Sequence, residues 1–311
     1  MGARLKRAAL IVLTALIVFT IGAYLNPTPS RTFAEVYAPV DPSIVAALQR
    51  FRTTHPPRTI NVSGRDWSYI TMGSGEQTVI FLHGMTGAYD IWWRVLEPLS
   101  RNYRVIAVTY PAADQLAQLA DGVLAVLENE EVQEAHFVGT SLGGYLTQYL
   151  MARNPERFLS AALANTFPPN DRIARDNRVL GRLLPYLPEW VIMNALRANT
   201  EQKIYPAAGY SEPVRAYVLE QAYGRMQKDQ FVGRYHCVVD SFTAPPSNEI
   251  EFPLLIIEAD NDPLVSVELR TQLKEVYPTA AVVTLHERGH FPYLNAPEEY
   301  AANLLEFWSA L

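Results

Sequence analysis

The stretch Phe137 to Gly144, F-V-G-T-S-L-G-G, constrains the fold of this chain more than any other. An apolar run (Ala135, Phe137, Val138) stops abruptly at Gly139-Thr140-Ser141-Leu142-Gly143, and Tyr145 to Arg153 then follows with helical spacing. The pattern reads as a strand, a sharp turn and a helix, with a serine at the apex. Such an apex holds its residue at positive φ, which a non-glycine tolerates only under tight constraint. Strand and helix then nearly touch, so the positions two before and two after the serine have no room for a Cβ. Gly139 and Gly143 meet that demand. With Gly and Ser each near ~7% of residues, a bare G-x-S-x-G arises by chance in about one chain in ten of this length. The rest of the chain must therefore supply a base, an acid and an oxyanion site.

The alternation around the elbow predicts where these lie. Thr59–Val62 and Trp67–Met72 read as an antiparallel start, and Thr78–Leu82 and Arg104–Val108 as strands buried on both faces. Helical patterns at Asp90–Leu99 and Leu116–Leu127 separate them, and Leu159–Ala164, Leu254–Glu258, Ala281–Leu285 and the helix Pro297–Ala310 resume the order. This specifies a doubly wound, mostly parallel α/β sheet. Between residues 168 and 242 the alternation stops, and a Pro-punctuated helical pattern reads as an inserted cap.

His83-Gly84-Met85-Thr86-Gly87 follows a buried strand, where a turn can aim a backbone N–H at a developing oxyanion. Met85 is the expected donor, with Thr86 next, beside the N–H of Leu142. The acid belongs on the loop after Leu254–Glu258, where Asp262, directly before Pro263-Leu264-Val265, is preferred over Asp260. The base belongs on the loop after the last strand, and His290 follows Gly289 there. The order Ser141, Asp262, His290 is one of the known orders of this triad. His290 would take the proton of Ser141, Asp262 would fix the imidazole tautomer, and water would release an acyl-enzyme. No metal or organic cofactor is required. His55, His83, His136, His236 and His286 read as structural.

Residues 1–25 carry a basic flank (Arg4, Lys6, Arg7) and an uncharged apolar stretch from residue 8 to 25, long enough to span a bilayer. A signal anchor with the domain facing outward is the expectation, and a cleaved signal peptide is the competitor. Residues 26–57 read as a Pro-rich extended spacer followed by a short helix opening at Asp41-Pro42, so the folded domain is expected from about Arg58 to 311. The chain of 311 residues is 49% apolar and 19% charged, with a net charge of −6 and no basic clusters. That balance speaks against nucleic acid as a partner. A lone Cys237 excludes an intrachain disulfide and a Cys-based zinc site.

With H-G-M-T-G, G-T-S-L-G-G, D-N-D-P-L-V and G-H-F-P in place, the chain from about Arg58 to Leu311 resembles the α/β-hydrolase superfamily. Within it the chain is most similar to the maspardin group. Tyr103–Pro111, Asp121–Leu127, the elbow, Ala164–Phe167, Val276–Ala280 and Phe291–Leu294 carry that likeness. The resemblance implies an α/β-hydrolase fold and a serine hydrolase acting on a small-molecule ester, thioester or related acyl substrate, carboxylesterase- or lipase-like. Ser141 argues against dehalogenase and epoxide-hydrolase chemistry, which use a carboxylate nucleophile. Maspardin is an interaction protein in which the position matching His290 is not His, and it lacks the apolar N-terminal segment. The alternative function is therefore a membrane-tethered binding or scaffold protein with a protein partner and little catalysis.

Overall fold

The computed structural model describes residues 2–311, apart from the side chains of Ala3, Arg4, Leu5, Phe19 and Thr20, so Arg4 of the basic flank lies outside the described residues. The chain opens with a long helix, α1 (Gly2–Leu25), of which Lys6–Leu25 is apolar enough to cross a membrane and is not buried by the protein. Two shorter helices follow, α2 (Phe33–Tyr37) and α3 (Pro42–Thr54). Thr32 begins α2 with a capping box shared with Glu35, and Asp41 caps α3 ahead of Pro42.

Then come β1 (Arg58–Val62), β2 (Arg65–Met72), β3 (Thr78–Leu82), α4 (Trp93–Leu99), β4 (Arg104–Thr109), α5 (Leu116–Asn129), β5 (Ala135–Thr140), α6 (Leu142–Arg153) and β6 (Phe158–Ala164). An insertion follows, with α7 (Arg172–Asp176), α8 (Arg178–Leu183), α9 (Glu189–Asn199), α10 (Tyr205–Ala207), α11 (Glu212–Glu220) and α12 (Lys228–Val239). The chain closes with β7 (Leu254–Ala259), α13 (Val267–Val276), β8 (Ala281–Leu285), α14 (Pro292–Asn295) and α15 (Pro297–Ser309).

The eight strands form one sheet in the order β1-β2-β4-β3-β5-β6-β7-β8. The pairs β1/β2 and β2/β4 are antiparallel, and every later pair is parallel. The central strands are continuous apolar runs because both faces are covered. Val79, Phe81, Val105 and Ala107 face α4 and α15 on one side; Ile80, Leu82, Ile106 and Val108 face α5 and α6 on the other. Each fully buried aliphatic side chain contributes about 1.5–3 kcal/mol relative to exposure.

The short helix expected at Asp41-Pro42 is α3, whereas residues 33–40 differ from the extended spacer expected there and form α2, and both helices pack on the domain. Val36, Tyr37, Val40, Leu48 and Phe51 are buried in the same apolar cluster as α4 and α11, so packed structure begins well before Arg58. A buried polar junction adds to this. Arg52 of α3 donates to Asp90 Oδ2 at 2.6 Å and to both carboxylate oxygens of Glu220 at 2.8 and 2.7 Å, and Tyr37 donates to Glu220 at 2.8 Å. Arg225 and Tyr217 reach Asp90 from the insertion, each at 2.6 Å. Burial would push the Asp90 carboxyl up, but Arg225 and Arg52 outweigh it and hold it below the usual range.

Candidate active site

The elbow is built from backbone contact. Ser141 has φ 53° and ψ −120°, between the end of β5 and the start of α6. Such a conformation costs of order 1–3 kcal/mol and needs support from its surroundings. Ser141 N–H donates to Ala164 O at 3.0 Å, and its own carbonyl accepts from Tyr145 N at 3.0 Å and Thr166 Oγ1 at 2.7 Å. A Cβ on Gly139 would lie 2.3 Å from Gly143 O, and one on Gly143 would lie 1.9 Å from Leu82 O. Any side chain at either position would force β5, α6 and β3 apart.

Asp262 and His290 meet on the loops after β7 and β8. His290 Nδ1 lies 2.8 Å from Asp262 Oδ2 and 3.0 Å from Oδ1, and both residues are buried. Asp262 Oδ1 also accepts from the N–H groups of Leu264 (2.8 Å) and Val265 (3.1 Å), and Oδ2 from Asn165 Nδ2 (2.8 Å). Burial pushes this carboxyl up, yet the attraction of His290 and these donors hold it below the usual carboxylate value. Asp260 instead takes the exposed His286 at 2.8 Å and the Glu287 N–H at 2.9 Å. Of the two carboxylates, Asp262 is the one that faces His290.

Ser141 and His290 line one cavity of about 330 Å³ with Met85, Phe167, Leu196, Ile204, Phe231 and Leu264 among its walls. Among the described residues, Ser141 Oγ has no hydrogen-bond partner, and neither the Met85 N–H nor the Leu142 N–H has an acceptor. A hydroxyl without a partner, an imidazole fixed at its far nitrogen and the Met85 turn thus border one mostly apolar space, with the Leu142 N–H directly after Ser141 in the chain. Such a set is suited to acyl transfer.

Two further side chains shape the site. Asn165, at the end of β6 with φ 42°, ties Asp262 to the Gly289 carbonyl (3.3 Å). Arg234 of α12 is buried, and among the described residues it makes no ion pair with a carboxylate. Its guanidinium donates to Met85 O (2.7 Å), Gly87 O (3.1 Å) and Tyr110 O (3.0 Å), and burial pulls it down to about 10. Neither role is visible in sequence, because both act on backbone or side chains far along the chain. His83 is pinned in the same turn. Burial and Arg234 keep it neutral, its Nε2 accepts the Tyr110 N–H at 3.3 Å, and its Nδ1–H therefore donates to Gly84 O at 2.6 Å.

A family model described as the alpha/beta hydrolase family matches residues 79–303. The chain belongs to that family. As an alpha/beta hydrolase it is 25% identical to maspardin of Homo sapiens over 255 residues, spanning 78% of this chain and 80% of maspardin. Its fold matches the crystal structure of a hydrolase from Pseudomonas aeruginosa PA01 with a TM-score of 0.70 at 23% identity, over 81% of this chain and 98% of that one. It also matches the crystal structure of a bacterial membrane phospholipase A with a TM-score of 0.65 at 20% identity, over 98% of both chains. These structural likenesses place the sheet and insertion of this alpha/beta hydrolase in a common fold.

Proposed function

We propose that this alpha/beta hydrolase is a serine hydrolase that cleaves an ester, thioester or related acyl bond through an acyl-enzyme. The observation that carries the reading is the buried Asp262–His290 pair at 2.8 Å, whose His290 borders the same cavity as the free hydroxyl of Ser141. His290 Nε2 accepts the Ser141 proton as Oγ attacks the acyl carbon, while Asp262 holds Nδ1–H and stabilises the imidazolium. The oxyanion is received by the N–H groups of Met85 and Leu142. Imidazolium returns the proton to the leaving alkoxide or thiolate, and a water activated by the same imidazole releases the acid.

The substrate class follows from the walls. His290 and Tyr293 are the cavity's only ionisable side chains among the described residues, and most of the rest are aliphatic or aromatic. A neutral, apolar acyl group fits such a space. With α1 as a signal anchor and the insertion as a cap, the catalytic domain would sit at a membrane surface, facing outward. The fold likeness to a membrane phospholipase A supports lipid esters among the acyl substrates.

A maspardin-like tethered binding protein is the competing reading, and the buried Asp262–His290 pair weighs against it. The deciding experiment is hydrolysis of a graded series of neutral esters. Ser141→Ala should lower kcat by about 10⁴-fold or more. Equal rates in the variant would remove the enzyme reading.

A further inference from the structure

The outer face of the insertion carries a second constellation, away from the cavity. Val179, Leu180 and Leu183 of α8 are 72%, 49% and 52% exposed, and Tyr186 in the next turn is 74% exposed. Residues at this spacing share one helix face, so they form a contiguous apolar stripe. Isolated exposed apolar residues are ordinary, but a clustered stripe marks an interaction surface. Arg178 and Arg182 are exposed on the same helix, and among the described residues neither has an ion-pair partner.

The stripe is continuous with the attachment point of α1. Trp190 Nε1 donates to Ala23 O at 2.7 Å, and Tyr24 donates its hydroxyl to the Tyr186 carbonyl. Lys228 Nζ sits 5.9 Å from the centre of the Tyr24 ring. The apolar helix therefore leaves the protein beside Tyr186 and Trp190, residue types that favour the headgroup region of a bilayer. Any bilayer that receives Lys6–Leu25 ends next to α8.

The inner side of the same segment faces the cavity. Ile173 of α7 and Asn177, at the α7–α8 junction, line it. Leu184 packs beneath with Ile192 and Val232, and a Cβ on Gly181 would approach the Tyr235 hydroxyl to 2.7 Å. The α7–α8 segment is thus a wall with the cavity on one side and the exposed stripe on the other.

We infer that α8 and the turn at Tyr186 form a bilayer-docking surface, selective for anionic lipid, that seats the cavity wall in the headgroup layer so that lipid esters reach Ser141 from the membrane. A short helix with an apolar face and flanking arginines has the composition of an interfacial element. This inference rests on the acyl-ester hydrolysis proposed above.

The test uses the full chain reconstituted in vesicles of equal parts phosphatidylcholine and phosphatidylglycerol. A soluble short-chain p-nitrophenyl ester and the vesicle phospholipid serve as parallel substrates. The triple variant Val179→Ser/Leu180→Ser/Leu183→Ser alters no cavity residue. It should keep its rate on the soluble ester and lose about tenfold or more on vesicle phospholipid, because the apolar part of the interfacial contact is removed. Arg178→Gln/Arg182→Gln should show the same selective loss, greatest where phosphatidylglycerol is present. Unchanged phospholipid hydrolysis in the triple variant overturns the docking surface.

If the wild type hydrolyses neither ester, the function proposal fails, and the surface is read separately by a nitroxide on Leu180→Cys. Greater collision with oxygen than with a nickel chelate supports lipid contact. The reverse order, or dipolar broadening from a second copy of the chain, overturns it.

Discussion

Arg234 donates to the carbonyl oxygen of Met85 at 2.7 Å and so ties the insertion to the turn that borders Ser141. The same guanidinium holds Gly87 O and Tyr110 O, giving three backbone acceptors and, among the described residues, no carboxylate partner. The turn that carries the expected oxyanion donor is thus held from above by a helix more than a hundred residues later in the chain.

Replacing Arg234 by Met removes those donors while keeping an apolar stem. Each carbonyl left without a donor costs about 1–3 kcal/mol, so unfolding in urea should shift by about 3 kcal/mol or more. On a soluble ester, kcat should fall about 10- to 100-fold with little change in KM, less than the 10²–10³ typical of losing an oxyanion donor itself. Arg234→Lys, which keeps the charge but not the fork, should recover only part of kcat. Loss of stability with kcat unchanged would leave Arg234 a purely structural residue.

Asp262 links the site to pH. Its folded pKa lies below the ordinary 3.8, so its contribution to stability is fully present above that value and is lost as pH falls through the depressed one. The unfolding free-energy difference between wild type and Asp262→Asn should be flat above about pH 5 and shrink below about pH 4. Asn165→Ala removes one donor to the carboxylate, so the shrinkage should still begin near the ordinary carboxylate value but be smaller and be complete at higher pH. Urea titrations across that range check both. A difference that grows toward acid would contradict the sign.

The packed N-terminal helices make a prediction against a domain start at Arg58. A fragment beginning there would lack the buried Val36, Tyr37, Val40, Leu48 and Phe51 and would leave Asp90 without Arg52. It should be insoluble or destabilised by about 5 kcal/mol or more, since each of these side chains is worth about 1.5–3 kcal/mol. A fragment beginning at Ser30 should fold. Asp90→Ala in that longer fragment should cost about 3–5 kcal/mol, because it removes the buried acceptor that Arg52, Arg225 and Tyr217 share and leaves the two guanidinium groups only Glu220. Thermal melts of the three proteins provide the comparison.

The sheet was legible because its signals are local. TVIFL and RVIAV read as strands covered on both faces, as β3 and β4 are, and G-T-S-L-G carries the backbone geometry of the elbow in its own glycines. The place of Asp262 before Pro263-Leu264-Val265 favours it over Asp260, and it is Asp262 that meets His290. The helix that opens at Asp41-Pro42 is legible, but α2 and the packing of both helices are not, because prolines signal turns whether or not a segment packs. The partner of Tyr37 and Arg52 is Glu220, far along the chain. Arg234 and Asn165 left no trace for the same reason. Neither sits in a repeating pattern, and their partners come together only once the sheet and insertion have formed.

The most direct test of a Ser141–His290–Asp262 acyl-transfer site is covalent labelling of the full chain with a fluorophosphonate, read by intact mass and peptide mapping. The account predicts one adduct, on Ser141, absent in Ser141→Ala and slowed by about 10³-fold or more in His290→Ala. A folded wild-type protein that takes no label, or that is labelled equally in Ser141→Ala, would contradict it.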